Sequence, residues 1–245
     1  MARHWENSIK LVLLISITIA TSHRVYAQSA GNTVASFGWV HISPISSSDP
    51  LTVTSIAGHP VNEPKEGTGA DATNADTVGV GLEHYFTDNI GVSMLGGYPT
   101  YMNLKGSGTL ASYGVLGKGR PWSPQLIFNY HFMSADSKFR PFAGIGVAYT
   151  WYTNAKITNQ SFVTSLVGPG GSASAKASSS WDPVFQVGAN YRFAQHWTAG
   201  VTVMYIPTST NLTLTARTAT GTEIVANTKV RVRPIITFLN VAYIF

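Results

Sequence analysis

The sequence predicts an all-β chain folded as an eight-stranded antiparallel transmembrane β-barrel. Three observations indicate this fold: a shortage of charged residues, a repeated alternation of apolar with small or polar residues, and connections that alternate between short and long. Asp, Glu, Lys and Arg make up 11% of the 245 residues, against roughly 25% in a typical soluble domain. Because 44% of the residues are hydrophobic, we expect much of the folded surface to contact lipid.

The N-terminal segment has the features of a secretory signal peptide. Basic residues precede the apolar run at 11–20, and small or uncharged residues suited to signal peptidase end at Ala27. Ten helical residues span about 15 Å, half of the bilayer core, which disfavours a membrane anchor. We therefore expect residues 1–27 to be cleaved and residues 28–245 to form a single barrel domain.

Eight segments of the mature chain show the period-two alternation of strands with two unlike faces. They cover residues 34–42, 77–86, 90–98, 125–132, 140–152, 183–193, 197–212 and 230–245. Their lengths reach or approach the roughly 9 to 11 residues that a tilted transmembrane strand requires. Eight is also the smallest common strand number of an outer-membrane barrel.

The connections between these segments predict the orientation of the barrel. Three are short, at 87–89, 133–138 and 194–196, and four are long, at 43–76, 99–124, 153–182 and 213–229. Bacterial barrels have short periplasmic turns and longer extracellular loops. We therefore expect the bacterial outer membrane, both termini in the periplasm, and four long extracellular loops rich in Gly, Ser, Thr and Pro.

The last strand alternates apolar residues up to an aromatic final residue. Tyr243 and Phe245 share one face of this strand. One interpretation is a simple amphipathic strand. The interpretation we favour is a signal for the outer-membrane assembly machinery.

The strand faces that point away from the lipid line the lumen. Their side chains form two sets, one apolar and one polar. The apolar set, toward the long loops, is the predicted hydrophobic channel or pocket: Leu95, Ile127, Val184, Met204, Ile206, Ile236 and Phe238. The polar set, near the short turns, is Glu83, Asn129, His131, Gln186, Asn190 and Arg192. An eight-stranded barrel is barely wide enough for its own side chains. We therefore expect a narrow apolar path above a polar plug, in which Glu83 pairs with Arg192.

Five motifs carry a resemblance to a known family. They are GWVHISP at 38–44, TDNIGV at 87–92, KFRPFAGIG at 138–146, QVGANYRF at 186–193 and the terminal AYIF. On these motifs the mature chain resembles the OmpW family of outer-membrane proteins, which includes AlkL-type members. The resemblance implies an eight-stranded barrel with an extracellular hydrophobic pocket for uptake of small apolar molecules, with lateral release through the wall as one proposed exit. It also implies that Leu95 narrows the pocket and that Met204 stands where some relatives have an aromatic residue.

Two other functions stay open. Small barrels are often filled solid, so the chain could be a structural or adhesive barrel without transport. A more remote alternative is a lipid-modifying hydrolase with Ser93 as nucleophile, His131 as base and Glu83 as the orienting residue. Ser93 lies mid-strand whereas the other two lie near the turns, which disfavours this triad.

The remaining composition predicts no cofactor, no metal site and no catalytic residue. The chain has no cysteine, and its histidines are dispersed without metal-ligand spacing. Its basic residues are scattered along the sequence, so we expect no nucleic-acid partner. The expected partners are outer-membrane lipid, small hydrophobic molecules and the assembly machinery.

Overall fold

The computed structural model describes residues 28–245, and the predicted signal peptide at 1–27 lies outside the described residues. We number the strands β1 to β17 in chain order. Eight form the barrel, namely β1 (Thr33–Pro44), β6 (Ala75–Tyr85), β7 (Ile90–Gly97), β10 (Gln125–His131), β11 (Phe139–Ile157), β13 (Ser180–Arg192), β14 (Trp197–Tyr205) and β17 (Pro234–Ile244). The others are β2 (Ser47–Ser48), β3 (Leu51–Ile56), β4 (His59–Lys65), β5 (Thr68–Ala72), β8 (Met102–Gly108), β9 (Val115–Trp122), β12 (Ser172–Ala177), β15 (Ser209–Arg217) and β16 (Glu223–Arg231).

The eight barrel strands form a closed antiparallel ring, which confirms the predicted fold class. Their order is β10-β7-β6-β1-β17-β14-β13-β11, and β10 pairs with β11 to close the ring. The first and last barrel strands are neighbours, with Val34 opposite Ile244. Closure leaves no strand of the ring without a neighbour on each side, as expected in a membrane, where unsatisfied backbone groups are costly.

The last two predicted strands, 197–212 and 230–245, are each divided in two. The first stops at Tyr205 and resumes at Ser209, and Pro207 lies in the break. The second is interrupted before Pro234, where Arg233 has a positive φ of 41°. Proline donates no ladder hydrogen bond, so both breaks fall where the chain leaves the barrel wall.

The four long connections contain strands, although their composition predicts mobile loops. One sheet continues from β11 through β9 and β8 to β5, and the other has the order β12-β15-β16-β3-β4, with β2 on β16. The helix α1 (Gln160–Val167) lies with them. Ala70, Leu116, Phe162 and Leu214 join both sheets and α1 in one buried cluster. We call these sheets and α1 the extension.

The two ends of the barrel therefore differ. The turn end carries the connections at 86–89, 132–138 and 193–196, together with both ends of the described chain. The extension end carries the two outer sheets.

The outer wall is apolar and is bordered by aromatic side chains. Outward residues such as Phe37 and Met94 are 60% and 63% exposed. Exposed aromatics stand near the turn end at Tyr191 and Trp197, and near the extension at Trp181. An apolar band between aromatic girdles is the lipid-facing pattern of a transmembrane barrel.

Residues 28–245 contain no helix with the length and apolar character needed to cross a membrane.

Candidate functional site

An apolar cavity of about 210 Å³ occupies the extension end of the lumen. Its lining includes five of the predicted channel residues, namely Leu95, Met204, Ile206, Ile236 and Phe238. The other two, Ile127 and Val184, are fully buried and belong to the same packed cluster. The structure thus brings all seven predicted residues together.

Glycine on neighbouring strands makes room for these large lumen side chains. A Cβ added at Gly81 on β6 would lie 2.5 Å from Cδ2 of Leu95 on β7. The Leu95 side chain therefore lies over the Gly81 backbone, along the wall of the cavity. A narrow barrel can hold an open space only if some inward positions carry no side chain.

A second, smaller cavity of about 50 Å³ lies on the turn-end side of the first. Leu95 and Phe238 line both cavities, whereas Met204 lines only the larger one. Leu95 and Phe238 therefore form the boundary between the apolar and the polar lumen.

A hydrogen-bonded network closes the lumen below this boundary. His131 Nε2 lies 2.8 Å from Glu83 Oε1, and Asn129 Nδ2 donates to the same oxygen at 2.7 Å. Asn129 Nδ2 also lies 3.0 Å from Ser93 Oγ, and Gln186 Nε2 donates to Asn129 Oδ1 at 2.6 Å. Because a buried polar group without a partner is costly, these mutual bonds are what makes a polar plug stable here.

Arg192 does not join this network, and the expected Glu83–Arg192 pair is wrong. Arg192 is the last residue of β13, and its guanidinium donates to the backbone oxygen of Asp136 in a short turn. Its position lies beyond the lumen, so His131 is the partner of Glu83 instead. Asn190, one inward position higher, lines the small polar cavity.

Sequence reasoning missed a buried arginine at the turn end. Arg140 is 1% exposed, and its Nη1 and Nη2 donate to the backbone oxygens of Gln28 at 2.7 Å and Asp88 at 2.5 Å. Its guanidinium carbon also lies 5.9 Å from the ring centre of the fully buried Tyr85. Arg140 lies on the face of β11 that points into the lumen. The period-two alternation of this strand was therefore the signal in the sequence that could have identified it as a buried residue.

The network does not have the geometry of a hydrolase triad. Nε2 of His131 faces Glu83, and Nδ1 lies 3.4 Å from the Tyr85 hydroxyl. Ser93 contacts Asn129 rather than the imidazole. A nucleophile needs its base within hydrogen-bond reach, and neither nitrogen of His131 is directed at Ser93.

No group of three metal-ligating side chains occurs in the part of the chain that the structure describes, residues 28–245.

The lining of the larger cavity includes the barrel wall at the place where β7 and β10 separate. Its lining includes Gly96 and the outward-facing Val80, which is 58% exposed. The β7–β10 pairing stops at Leu95, whereas the β6–β7 pairing continues to Gly97. A Cβ added at Gly96 would meet nothing within 4 Å. We call the place where β7 leaves β10 the seam: one strand pairing ends there, and Gly96 adds no side chain to the outer face.

Comparisons with known proteins agree with this architecture. Outer membrane protein W of Vibrio cholerae is 28% identical over 208 residues, which cover 83% of this chain and 86% of that protein. The Escherichia coli protein of the same name is 26% identical over 199 residues, covering 81% and 84%.

Two solved structures share the fold. The crystal structure of OprG from Pseudomonas aeruginosa aligns with a TM-score of 0.77 at 23% identity, covering 90% of this chain and 99% of that one. The solid-state NMR structure of AlkL in DMPC bilayers aligns with a TM-score of 0.61 at 21% identity, covering 94% and 97%. The OmpW family profile matches residues 29–245, and the chain therefore belongs to the OmpW family of outer-membrane barrel proteins.

Proposed function

We propose that this barrel takes up small apolar molecules through the larger cavity. The observation that carries the proposal is that inward apolar side chains of several strands enclose an open space above a hydrogen-bonded polar plug. An apolar guest leaving water gains about 25 cal/mol for each Å² it buries. A hydrated ion would lose solvation in this cavity without finding a charged lining at its base.

We further propose that guests leave sideways through the seam. The network around Glu83 and His131 blocks a straight path toward the turn end. The seam leads instead to lipid, where an apolar molecule is soluble. Support comes from the shared lining of Gly96 and Val80.

Uptake by whole cells tests the transport function. Cells with the barrel should accumulate a short alkane or a terpene faster than cells without it, while the purified barrel should conduct ions poorly in planar bilayers. Equal uptake would favour the alternative of a structural or adhesive barrel. Large stable ion conductance would contradict the apolar selectivity.

A tryptophan in the seam tests the lateral exit. A Cβ at position 96 would meet no atom within 4 Å, so the Gly96→Trp barrel should fold. Uptake should fall because the large ring stands at the seam. Ile145→Trp is the matched control, because Ile145 is 63% exposed on the outer wall and does not line the cavity. If both variants take up substrate at the parental rate, the seam is not the route.

We propose that the turn end and both termini face the periplasm, as short turns do in bacterial barrels. The absence of natural cysteines allows a direct test. A membrane-impermeant maleimide on intact cells should label Glu66→Cys in the extension and not Gln195→Cys in a short turn. The reverse labelling would invert the orientation.

Tyr243 and Phe245 are the proposed signal for the assembly machinery. Their rings pack edge to face at 4.9 Å, and Phe245 is 66% exposed. Phe245→Ala should slow insertion in cells and leave refolding in detergent unchanged, because the folded barrel buries little of this ring. Ile235→Ala, on the same face at the other end of β17, is the control.

A further inference from the structure

The extension carries a basic cluster on the sheet that continues from β11. Lys118 and Arg120 lie on β9, and Lys156 lies on β11. Lys156 is far from Lys118 and Arg120 in the sequence, and the sheet brings it to them: Lys118 is directly opposite Lys156, and Arg120 is opposite Thr153. Directly opposed residues of a sheet share a face.

Tyr101 forms the centre of this cluster. Lys118 Nζ lies 4.6 Å from the centre of its ring, and the guanidinium carbon of Arg120 lies 4.1 Å from it. A cation over an aromatic face is held by the ring quadrupole. The ring therefore holds both cations close to itself and reduces the rotational freedom that long basic side chains normally have.

The cluster has no counter-charge in the described chain. Among residues 28–245, no carboxylate lies within ion-pair distance of Lys118, Arg120 or Lys156. The Nε of Arg120 is covered and has no hydrogen-bond acceptor. Like charges placed opposite one another destabilise a sheet. An anionic ligand would remove this cost.

The position of the cluster indicates the depth in the membrane at which an anionic ligand would bind. Trp122 follows Arg120 by two residues on the same face of β9, and its ring stacks on Trp151 at 5.8 Å. Trp122 Nε1 donates to Thr153, the residue opposite Arg120. Tryptophan concentrates at the membrane interface. The cations therefore lie one step beyond the lipid chains, at the depth of the headgroups.

We propose that Lys118, Arg120 and Lys156, arranged around Tyr101, bind the phosphate groups of the glycolipid lipid A in the outer leaflet. Guanidinium and ammonium groups form strong charge-assisted hydrogen bonds with phosphate oxygens, and basic pockets near an interface bind phosphorylated headgroups. The site is distinct from uptake in its ligand, although Lys118 and Lys156 also belong to the outer lining of the larger cavity. It rests on the proposed orientation of the extension toward the cell exterior.

Binding of lipid A to the purified full-length mature barrel tests the proposal. The barrel is placed in phosphatidylcholine nanodiscs and titrated with lipid A, and dephosphorylated lipid A serves as the headgroup control. The test variant is Lys118→Gln with Arg120→Gln and Lys156→Gln. The matched control removes three cations elsewhere, by Lys65→Gln, Lys138→Gln and Lys229→Gln.

The parent and the control should prefer lipid A over its dephosphorylated form, and the test variant should bind lipid A at least about tenfold more weakly. Parental affinity in the test variant would overturn the proposal. Displacement by millimolar inorganic phosphate would overturn it as well, because it would identify a free-phosphate site. If the triple variant does not fold, the exposed Lys156→Gln alone must weaken binding or the proposal fails.

Two of the three cations also border the larger cavity, so uptake is measured in parallel. Lys118 and Lys156 belong to its outer lining. Alkane uptake by Arg120→Gln, whose residue does not line the cavity, should equal that of the parent. A loss of uptake with parental lipid A binding would place the cations in the transport path and overturn the lipid site. Labelling of Glu66→Cys in the triple variant checks the orientation separately.

Discussion

The imidazole of His131 on β10 reaches the carboxylate of Glu83 on β6 across an intervening strand. Nε2 and Oε1 are 2.8 Å apart, although β7 lies between the two strands. Gly91 on β7 permits this contact, because a Cβ there would lie 2.7 Å from Glu83 Oε1. The plug therefore depends on the absence of a side chain at Gly91 as well as on the polar groups of Glu83 and His131.

Removal of the Glu83 carboxylate should destabilise the barrel, whereas removal of Arg192 should not. Glu83→Ala leaves the buried His131 and Asn129 without their shared acceptor, at a cost of about 1 to 3 kcal/mol for each unsatisfied group. Arg192→Ala loses only a contact to the backbone of an exposed turn. Urea unfolding in detergent measures both. Equal midpoints for the two variants would contradict the assigned plug.

A larger side chain at position 91 should separate His131 from Glu83. We expect Gly91→Leu to destabilise the barrel, and the loss should be much smaller in a Glu83→Ala background, because the displaced carboxylate is then absent. A double-mutant cycle of unfolding free energies measures this coupling. Additive losses would show that position 91 acts through the backbone alone.

Arg140 should be among the most sensitive positions of the turn end. Its two donors bind carbonyl oxygens from separate segments, at Gln28 and Asp88, and charged hydrogen bonds contribute about 1.5 to 3 kcal/mol each. Arg140→Ala should lower the unfolding free energy strongly, and Lys138→Ala, an exposed basic residue two positions earlier, should have little effect. A small loss for Arg140→Ala would mean that water replaces these contacts.

Period two was sufficient to predict the barrel and the inward faces of its strands from the sequence. Met204 and Phe238 are inward by parity, and their burial in one cluster follows once the ring closes. The partner of Glu83 could not be predicted, because parity gives the face of a residue but not the strand order or the tilt that sets its depth. Arg192 has the right face and lies one step too far toward the turn.

The extension was not predictable from composition. Glycine, serine and threonine in the long connections are typical of loops, yet Ser209 to Arg217 pairs along its whole length with Glu223 to Arg231. These strands lie outside the membrane, where side chains need not alternate between lipid and lumen. The basic cluster around Tyr101 was hidden for the same reason, since only pairing of β8, β9 and β11 assembles it.

The Asp49 carboxyl, which is paired with Arg231 in the extension, should titrate at a lower pH than an ordinary aspartate. Arg231 Nη1 donates to Asp49 Oδ1 at 2.6 Å, and this hydrogen bond to the guanidinium lowers the pKa of Asp49 below its ordinary value of 3.8. The stabilisation of the fold by this ion pair is therefore present above the pKa that Asp49 has in the unfolded chain. It is lost as the pH falls through the lower pKa that Asp49 has in the folded protein. An NMR titration of the Asp49 carboxyl carbon measures the midpoint. Arg231→Gln should return it toward 3.8, and an unchanged midpoint would contradict the pairing.

Charge placed at the apolar base of the larger cavity should stop uptake without preventing folding. Leu95 on β7 and Met204 on β14 belong to strands four places apart in the ring of eight, so they line the cavity from opposite walls. Leu95→Glu or Met204→Lys would put an ion into an apolar site, which costs several kcal/mol unless water enters with it. Both variants should fold, since lumen substitutions alter selectivity more than insertion, and both should lose alkane uptake. Met204→Trp should instead shift the preference toward thinner guests, because a rigid ring replaces a flexible side chain in the bore. Should the two charged variants fold and transport at the parental rate, guests do not pass between Leu95 and Met204, and the constriction lies elsewhere in the lumen.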